Sequence, residues 1–216
     1  MDLPRKTIRR PDRRAAILAA ASDMFLEMGY GAATIDEVIR RVGGSKRTVY
    51  GYFPGKEALF AAVIDSIVGE IVRPLPEIDL SLGMRETLIL VAEQHMQTVL
   101  SERHIELTRL VAAEAARFPE IGRAYYEHGP ARGHAKLEQY FARQVANGSL
   151  SLPSVRRAAD YFWGMLLHHG TLRRIYNVVP PPSAEDIRSG SAAVVDAFLA
   201  LYGTASGAAR SARRRA

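Results

Sequence analysis

Residues Thr34–Lys56 read TIDEVIRRVGGSKRTVYGYFPGK, two short helical patterns joined by a glycine turn. Thr34 is a good N-cap, and Glu37 three residues later completes the spacing of a capping box. Ile35, Val38 and Ile39 fall on one helical face at i, i+3 and i+4. Gly43-Gly44 stops the helix, because glycine takes positive φ without steric cost. Ser45 caps a second helix, Lys46 to about Phe53, whose Val49 and Phe53 face inward. Its other face shows Lys46, Arg47, Thr48, Tyr50 and Tyr52, side chains that hydrogen-bond phosphates and base edges. Pro54-Gly55 ends it. This is the pattern of a helix-turn-helix, although an αα-hairpin with a solvated, charged face has the same spacing.

Charge separates the two readings. The chain of 216 residues has a net charge of +6. Residues 1–56 carry eleven Lys/Arg against six Asp/Glu, a balance of +5, whereas residues 57–203 come to −3 and the tail from 204 to +4. The basic excess coincides with the helix-turn-helix pattern and the chain ends, as binding to phosphates requires.

Working outward, residues 1–10 (MDLPRKTIRR) are expected to form a disordered basic arm, either inert or lying along DNA. Helix 1 is expected from about Pro11-Asp12 to Glu27, with Ile17, Ala20, Ala21, Met24, Phe25 and Met28 inward and Gly29 as its end. After Pro54-Gly55 a longer apolar helix runs from Lys56 to about Val72, and Pro74 and Pro76 mark a linker. The remainder reads as helical, with candidates at Met84–Leu100, Arg103–Arg117, Pro119–His128 continuing through Arg132–Asn147, Ser154–Tyr176 and Ala184–Tyr202, and with breaks at Gly129-Pro130, at Gly148 and at Pro180-Pro181-Pro182. No stretch alternates convincingly with strand period. The expectation is an all-α chain of about nine helices: a helix-turn-helix domain at 11–56, a helical bundle at 57–203, and a disordered basic tail at 204–216.

Several classes are disfavoured. No apolar run reaches eighteen residues, and the N-terminus lacks the core of a signal peptide, so a cytoplasmic protein without membrane contact is expected. The absence of cysteine removes disulfides and thiolate metal sites. Gly51-x-x-x-Gly55-Lys56-Glu57 is one residue short of a phosphate-binding loop and has no preceding strand. His168-His169 point in different directions on one helix, and His95 and His104 are too far apart to share a helix face, so no metal is expected. No Ser-His-Asp ordering or cofactor loop supports an enzyme, and no cofactor is expected. A nucleoid-type, non-specific DNA binder using its basic ends is the other rival.

Residues 13–63 resemble the DNA-binding domain of the TetR/AcrR regulators. The resemblance rests on Ile17, Ala20-Ala21, Phe25, Gly29-Tyr30, Thr34, Gly43-x-Ser45, Thr48-x-Tyr50, Phe53, Lys56-Glu57 and Leu59, in the family's order and spacing. It implies that Ser45–Tyr52 enters the major groove, with Lys46, Arg47 and Thr48 at base edges or nearby phosphates. Thr34, Tyr50, Tyr52 and Lys56 are expected at phosphates, and Gly51 permits close approach. Two positions depart from the family: Ile39 replaces a small alanine, which should alter how the helices cross, and Gly44 replaces an apolar residue, which should loosen the turn.

The body is similar to the C-terminal domain of AefR-type members over about residues 84–203. The similarity is carried by VAAEAARFPEIGRAYYEHGP (Val111–Pro130), Asn147-Gly148-x-Leu150, Ala158-Ala159 and VVDAFLALYG (Val194–Gly203). It implies an effector-sensing, dimerising domain. Its last two helices are expected to pair with those of a second copy through Tyr161, Met165, Leu172, Tyr176, Val194, Ala197, Phe198 and Leu201. Two recognition helices about 34 Å apart would then meet a palindromic, double-stranded DNA operator. The candidate effector pocket is His95, Met96, Val99, Leu107, Leu110, Val111, Tyr125, Phe162, Trp163, Leu166 and His169. Taken singly, each of these reads better as core. Together they favour an apolar small molecule with an aromatic or acyl portion. The expected function is a ligand-relieved homodimeric repressor, with activation left open.

Overall fold

The computed structural model describes residues 10–69 and 82–205, and all ten helices in it are α-helical. They are α1 Arg10–Ala32, α2 Ile35–Val42, α3 Lys46–Tyr52, α4 Lys56–Gly69, α5 Met84–Val99, α6 Glu102–Glu114, α7 Pro119–His128, α8 Pro130–Ala146, α9 Val155–Ile175 and α10 Ala184–Tyr202. The single β-type contact among the described residues is an isolated bridge, Leu150 to Gly203. The basic arm 1–9, the proline linker, residues 70–72 of the expected fourth helix, and the tail from 206 lie outside the described residues.

One boundary differs from the sequence-based expectation. Gly29 does not end α1. It kinks it at φ +78°, and helical turns continue to Ala32. At the break expected at Gly129-Pro130, Gly129 (φ −112°, ψ −93°) interrupts the ladder and Pro130 opens α8. With α7 and α8 counted separately the described helices number ten, against about nine expected.

The chain forms two compact units, and the first combines the segment up to Ile67 with Arg109–His128. Ile17, Ala21, Met24, Phe25, Val38, Val49, Phe53, Leu59, Phe60 and Ile64 are buried in it. Aromatic rings extend this core: Phe25 meets Tyr30 and Phe60, and Tyr30 also meets Phe118 at 5.2 Å edge to face. Burying such rings supplies much of the driving force for a small helical unit.

The second unit takes Val68–Thr108 and the chain from Gly129 onward. Its core joins Leu88, Val91 and Met96 of α5, Leu137 and Phe141 of α8, Ala158, Ala159, Phe162, Trp163 and Leu166 of α9, and Val195 and Phe198 of α10. Phe141 and Phe198 stack at 5.0 Å. Asn147-Gly148-Ser149-Leu150 works as a clasp for the end of α10. Gly148 takes φ +72°, Ser151 N–H donates to Tyr202 O (2.9 Å), and Thr204 donates from its amide to Ser149 O (3.1 Å) and from its hydroxyl to Gly148 O (2.7 Å).

Candidate nucleic-acid interface

The capping chemistry of Thr34–Phe53 is realised in detail. Thr34 Oγ1 accepts the Glu37 amide at 3.2 Å, and Ser45 Oγ accepts the Thr48 amide at 3.2 Å. Both caps have extended backbone, so each helix starts where its side chain satisfies an otherwise orphaned N–H. Glu37 does not reach back to complete a capping box. Its carboxylate instead takes Arg40 and Arg41 at 2.6 and 2.9 Å, and those hydrogen bonds hold its pKa down at about 2.

The glycine turn is bridged by a side chain from α1. Gly43 and Gly44 both take positive φ, +70° and +100°. Arg13 of α1 reaches across them, donating from Nη1 to Val42 O at 3.0 Å and from Nη2 to Gly43 O. A Cβ on Gly44 would fall on the Arg13 guanidinium, whereas one on Gly43 would meet open space. The departure at position 44 therefore makes room for a cation that caps the C-terminal carbonyls of α2. Sequence reasoning missed Arg13. An arginine near the start of a helix, some thirty residues from its acceptors, leaves no local signal. The other departure, Ile39, is half-buried on α2.

Of the eight residues Ser45–Tyr52, Val49 is fully buried and holds α3 to the core. Ser45, Lys46, Arg47, Tyr50 and Gly51 are exposed, and Thr48 and Tyr52 half-buried. Tyr50 is 49% exposed, and nothing crowds Gly51. The α3 surface thus presents two cations, hydroxyls and a bare backbone patch. Lys46 pairs with Asp36 of α2 at 2.8 Å, with both side chains exposed, and that bond raises the Lys46 pKa. Such a surface pair is weak and easily exchanged for another anion.

Lys56 is held at the kink. Its Nζ donates to Gly31 O at 3.2 Å and lies 4.4 Å over the Tyr30 ring. A cation at an N-terminus conflicts with the dipole of its own helix, but here it also meets a carbonyl from the last turn of α1, which favours it. Burial lowers its pKa, against Glu114 and Glu120, which raise it.

The same kink receives Glu114. Its Oε1 accepts the Tyr30 amide at 2.8 Å and its Oε2 the Gly31 amide at 2.7 Å. A Cβ on Gly29 would fall on Glu114 Oε1, and one on Gly31 would press the Phe118 ring at 3.3 Å. Glu114 and Phe118 both lie in the Val111–Pro130 stretch that carries the resemblance to AefR-type members, and Gly29-Tyr30-Gly31 is built to receive them.

The eleven pocket candidates divide between the units. In the first, Val111 is buried and Leu110 and Tyr125 are half-buried. In the second, Met96, Leu107, Phe162, Trp163 and Leu166 are buried and His95 and Val99 half-buried. His169 lies on α9, with its side chain outside the described residues. The structure brings His95 and Trp163 together, ring centroids 4.0 Å apart. It also brings His95 into the field of His104, because the chain turns between α5 and α6; spacing along one helix did not reveal this. Burial lowers the His95 pKa to about 3 and that of His104 to about 4, so both imidazoles are neutral near pH 7. Among the described residues no three His, Cys, Asp or Glu side chains are grouped to hold a metal.

The first unit also carries an open cleft of 410 Å³ between α4 and α7, lined among others by Glu57, Glu120, Arg123, Glu127 and His128. It shares no residue with the pocket candidates.

Of the eight interface candidates, Tyr161, Met165, Leu172, Tyr176 and Leu201 are large apolar side chains left exposed, from 39% for Met165 to 71% for Tyr176. Ala197 is exposed and Val194 half-buried. Phe198 is fully buried against Phe141, Phe162 and Tyr202, so its side chain has no surface to offer a second copy.

Two capped helices with a braced glycine turn and an exposed basic face define a helix-turn-helix protein. Residues 17–63 match the bacterial regulatory proteins of the tetR family, and residues 86–204 match the C-terminal domain of AefR-like transcriptional repressors. The chain belongs to the TetR family of transcriptional regulators. A TetR-family regulator from Mesorhizobium loti shares 29% identity and a TM-score of 0.74, covering 91% of this chain and 99% of that one. The flavonoid-responsive regulator FrrA shares 30% identity and a TM-score of 0.76, covering 89% and 98%. The transcriptional activator FasR of Mycolicibacterium smegmatis is 41% identical over 63 residues, which span 29% of this chain and 29% of FasR. No helix among the described residues is long and apolar enough to cross a membrane.

Proposed function

We propose that this regulator acts as a homodimeric repressor, released from a palindromic operator by a small, largely apolar effector. The exposed, basic α3, held by the Val49 anchor and the Ser45 cap, carries this reading. Arg47 and Thr48 face base edges, and Lys46 exchanges Asp36 for a phosphate or a base edge. Thr34, Tyr50, Tyr52 and Lys56 hold phosphates, and Gly51 admits the DNA backbone. The exposed apolar side chains of α9 and α10, without Phe198, form the dimer face. The two-domain assignment, 11–56 for DNA and 57–203 for effector and partner, belongs to the same proposal.

The match to AefR-like repressors favours repression, whereas FasR is named an activator. FrrA responds to flavonoids, and an apolar aromatic effector agrees with the aromatic core of the second unit. Effector binding shifts α4 and changes the separation of the two α3 helices, lowering operator affinity because the ligand prefers the non-binding spacing. The test is a mobility-shift titration of the operator with and without bound effector. An operator affinity unchanged by an effector that demonstrably binds would sink the ligand-relieved reading.

A further inference from the structure

We propose that His95 and Trp163 form the polar end of the effector site and select a neutral molecule carrying a hydroxyl or keto oxygen on an apolar frame. This rests on the effector-responsive reading above. Trp163 is 5% exposed, and its Nε1 is buried without a hydrogen-bond partner among the described residues; the same holds for His95 Nε2. The two rings touch, one from α5 and one from α9, inside a core of Val91, Met96, Phe162 and Leu166. Other buried polar atoms, such as the hydroxyls of Ser22 and Ser191, rotate toward a nearby carbonyl at little cost. A ring N–H is fixed in the plane of a packed side chain and has no such freedom. Two fixed ring nitrogens on touching rings amount to a prepared polar contact within an apolar wall.

The pair also restricts the chemistry. Indole offers only a donor, so the ligand atom facing it must accept. Neutral imidazole offers one donor and one acceptor. A hydroxyl oxygen would accept from Trp163 and donate to His95, and a keto oxygen would accept from both if His95 carries its proton on Nε2. A carboxylate would place a full charge in this core. The imidazoles of His104 and His134 both lie near enough to His95 to disfavour its protonation, and His134 is engaged by Asp160 at 2.8 Å. With His95 and His104 kept unprotonated by burial, a buried anion would find no counter-charge in either imidazole.

Trp163 is the only tryptophan, so its fluorescence reports this contact without background. The purified protein is titrated with flavanone (a neutral ketone), 2-naphthol (a neutral hydroxyl) and dodecanoate (a carboxylate), and affinities are taken by calorimetry. At least one neutral probe should bind saturably and change Trp163 emission, and dodecanoate should not. Trp163→Phe keeps an aromatic ring and removes the N–H, and should weaken the neutral probe about tenfold. His95→Phe, made as a second variant, should do the same, with urea midpoints confirming that both variants fold. Three results would overturn the proposal: unchanged affinity in both folded variants, preferential binding of dodecanoate, or no neutral probe bound at about 1 mM. Dodecanoate binding that releases operator DNA would overturn it while leaving the effector-responsive reading intact. A neutral probe that binds as expected but leaves operator affinity unchanged would support the site and sink that reading.

Discussion

The carboxylate of Glu114, the last residue of α6, accepts the backbone amide of Gly31 at 2.7 Å and that of Tyr30 at 2.8 Å. A residue 83 positions further along the chain thereby fixes the kinked end of the helix behind the helix-turn-helix. The contact depends on Gly29, whose φ of +78° turns the two amides outward and whose missing Cβ leaves space for Oε1. Hydrogen bonds to a charged group contribute about 1.5–3 kcal/mol.

Glu114→Ala removes that acceptor and leaves two amides to water. It should lower the stability of the first unit by about 2 kcal/mol. Amide exchange at Tyr30 and Gly31 should quicken before that of the α5 and α10 amides, as read by hydrogen–deuterium exchange. Unchanged protection at both positions would show that the contact contributes nothing in solution.

Gly44→Ala and Gly43→Ala both force alanine into positive φ, at about 1 kcal/mol or more. Only at position 44 does the new Cβ meet Arg13. Gly44→Ala should therefore be the more destabilising, and in an Arg13→Ala background the difference between the two should shrink. Urea unfolding of the four proteins and the double mutants measures this directly.

Acid should weaken the second unit through its buried histidines. The folded pKa values, about 3 for His95 and about 4 for His104, lie below the unfolded value of 6.5. The unfolded chain thus takes up protons that the folded one refuses. Stability is full above pH 6.5 and falls as pH drops toward 4, by about 1.4 kcal/mol per pH unit for each histidine once the unfolded form is protonated. Urea midpoints between pH 7.5 and 4.5 would show the decline, and His104→Phe should flatten it.

Phe198 and Leu201 sit one turn apart on α10 and should respond differently. Phe198→Ala opens a cavity in the protomer core and should cost about 3–5 kcal/mol. Leu201→Glu places a charge on a side chain that is 70% exposed, so it should leave the protomer fold intact and shift the protein toward monomer in light scattering.

These contrasts mark how far the sequence alone could be read. Caps, glycine stops and apolar periodicity are local, so α2, α3 and α10 appear where the pattern predicts them. The core position of Phe198 was not legible, because periodicity shows that a face is apolar and not which apolar neighbour covers it. Arg13, Glu114 and the His95–Trp163 contact depend on residues tens of positions apart, and one sequence carries no record of that proximity. Glu114 left a partial signal, since it lies in the Val111–Pro130 stretch on which the resemblance to AefR-type members rests.

The central claim is that a dimer reads DNA through α3. The direct measurement is nuclease footprinting of the purified protein on its own upstream intergenic DNA, at physiological salt with excess competitor. The prediction is a protected site of two symmetric half-sites one helical turn apart or a multiple of it, lost on Arg47→Ala at unchanged fold. Binding that competitor abolishes, with a steep salt dependence and no bounded footprint, would contradict the claim and assign the affinity to the basic chain ends.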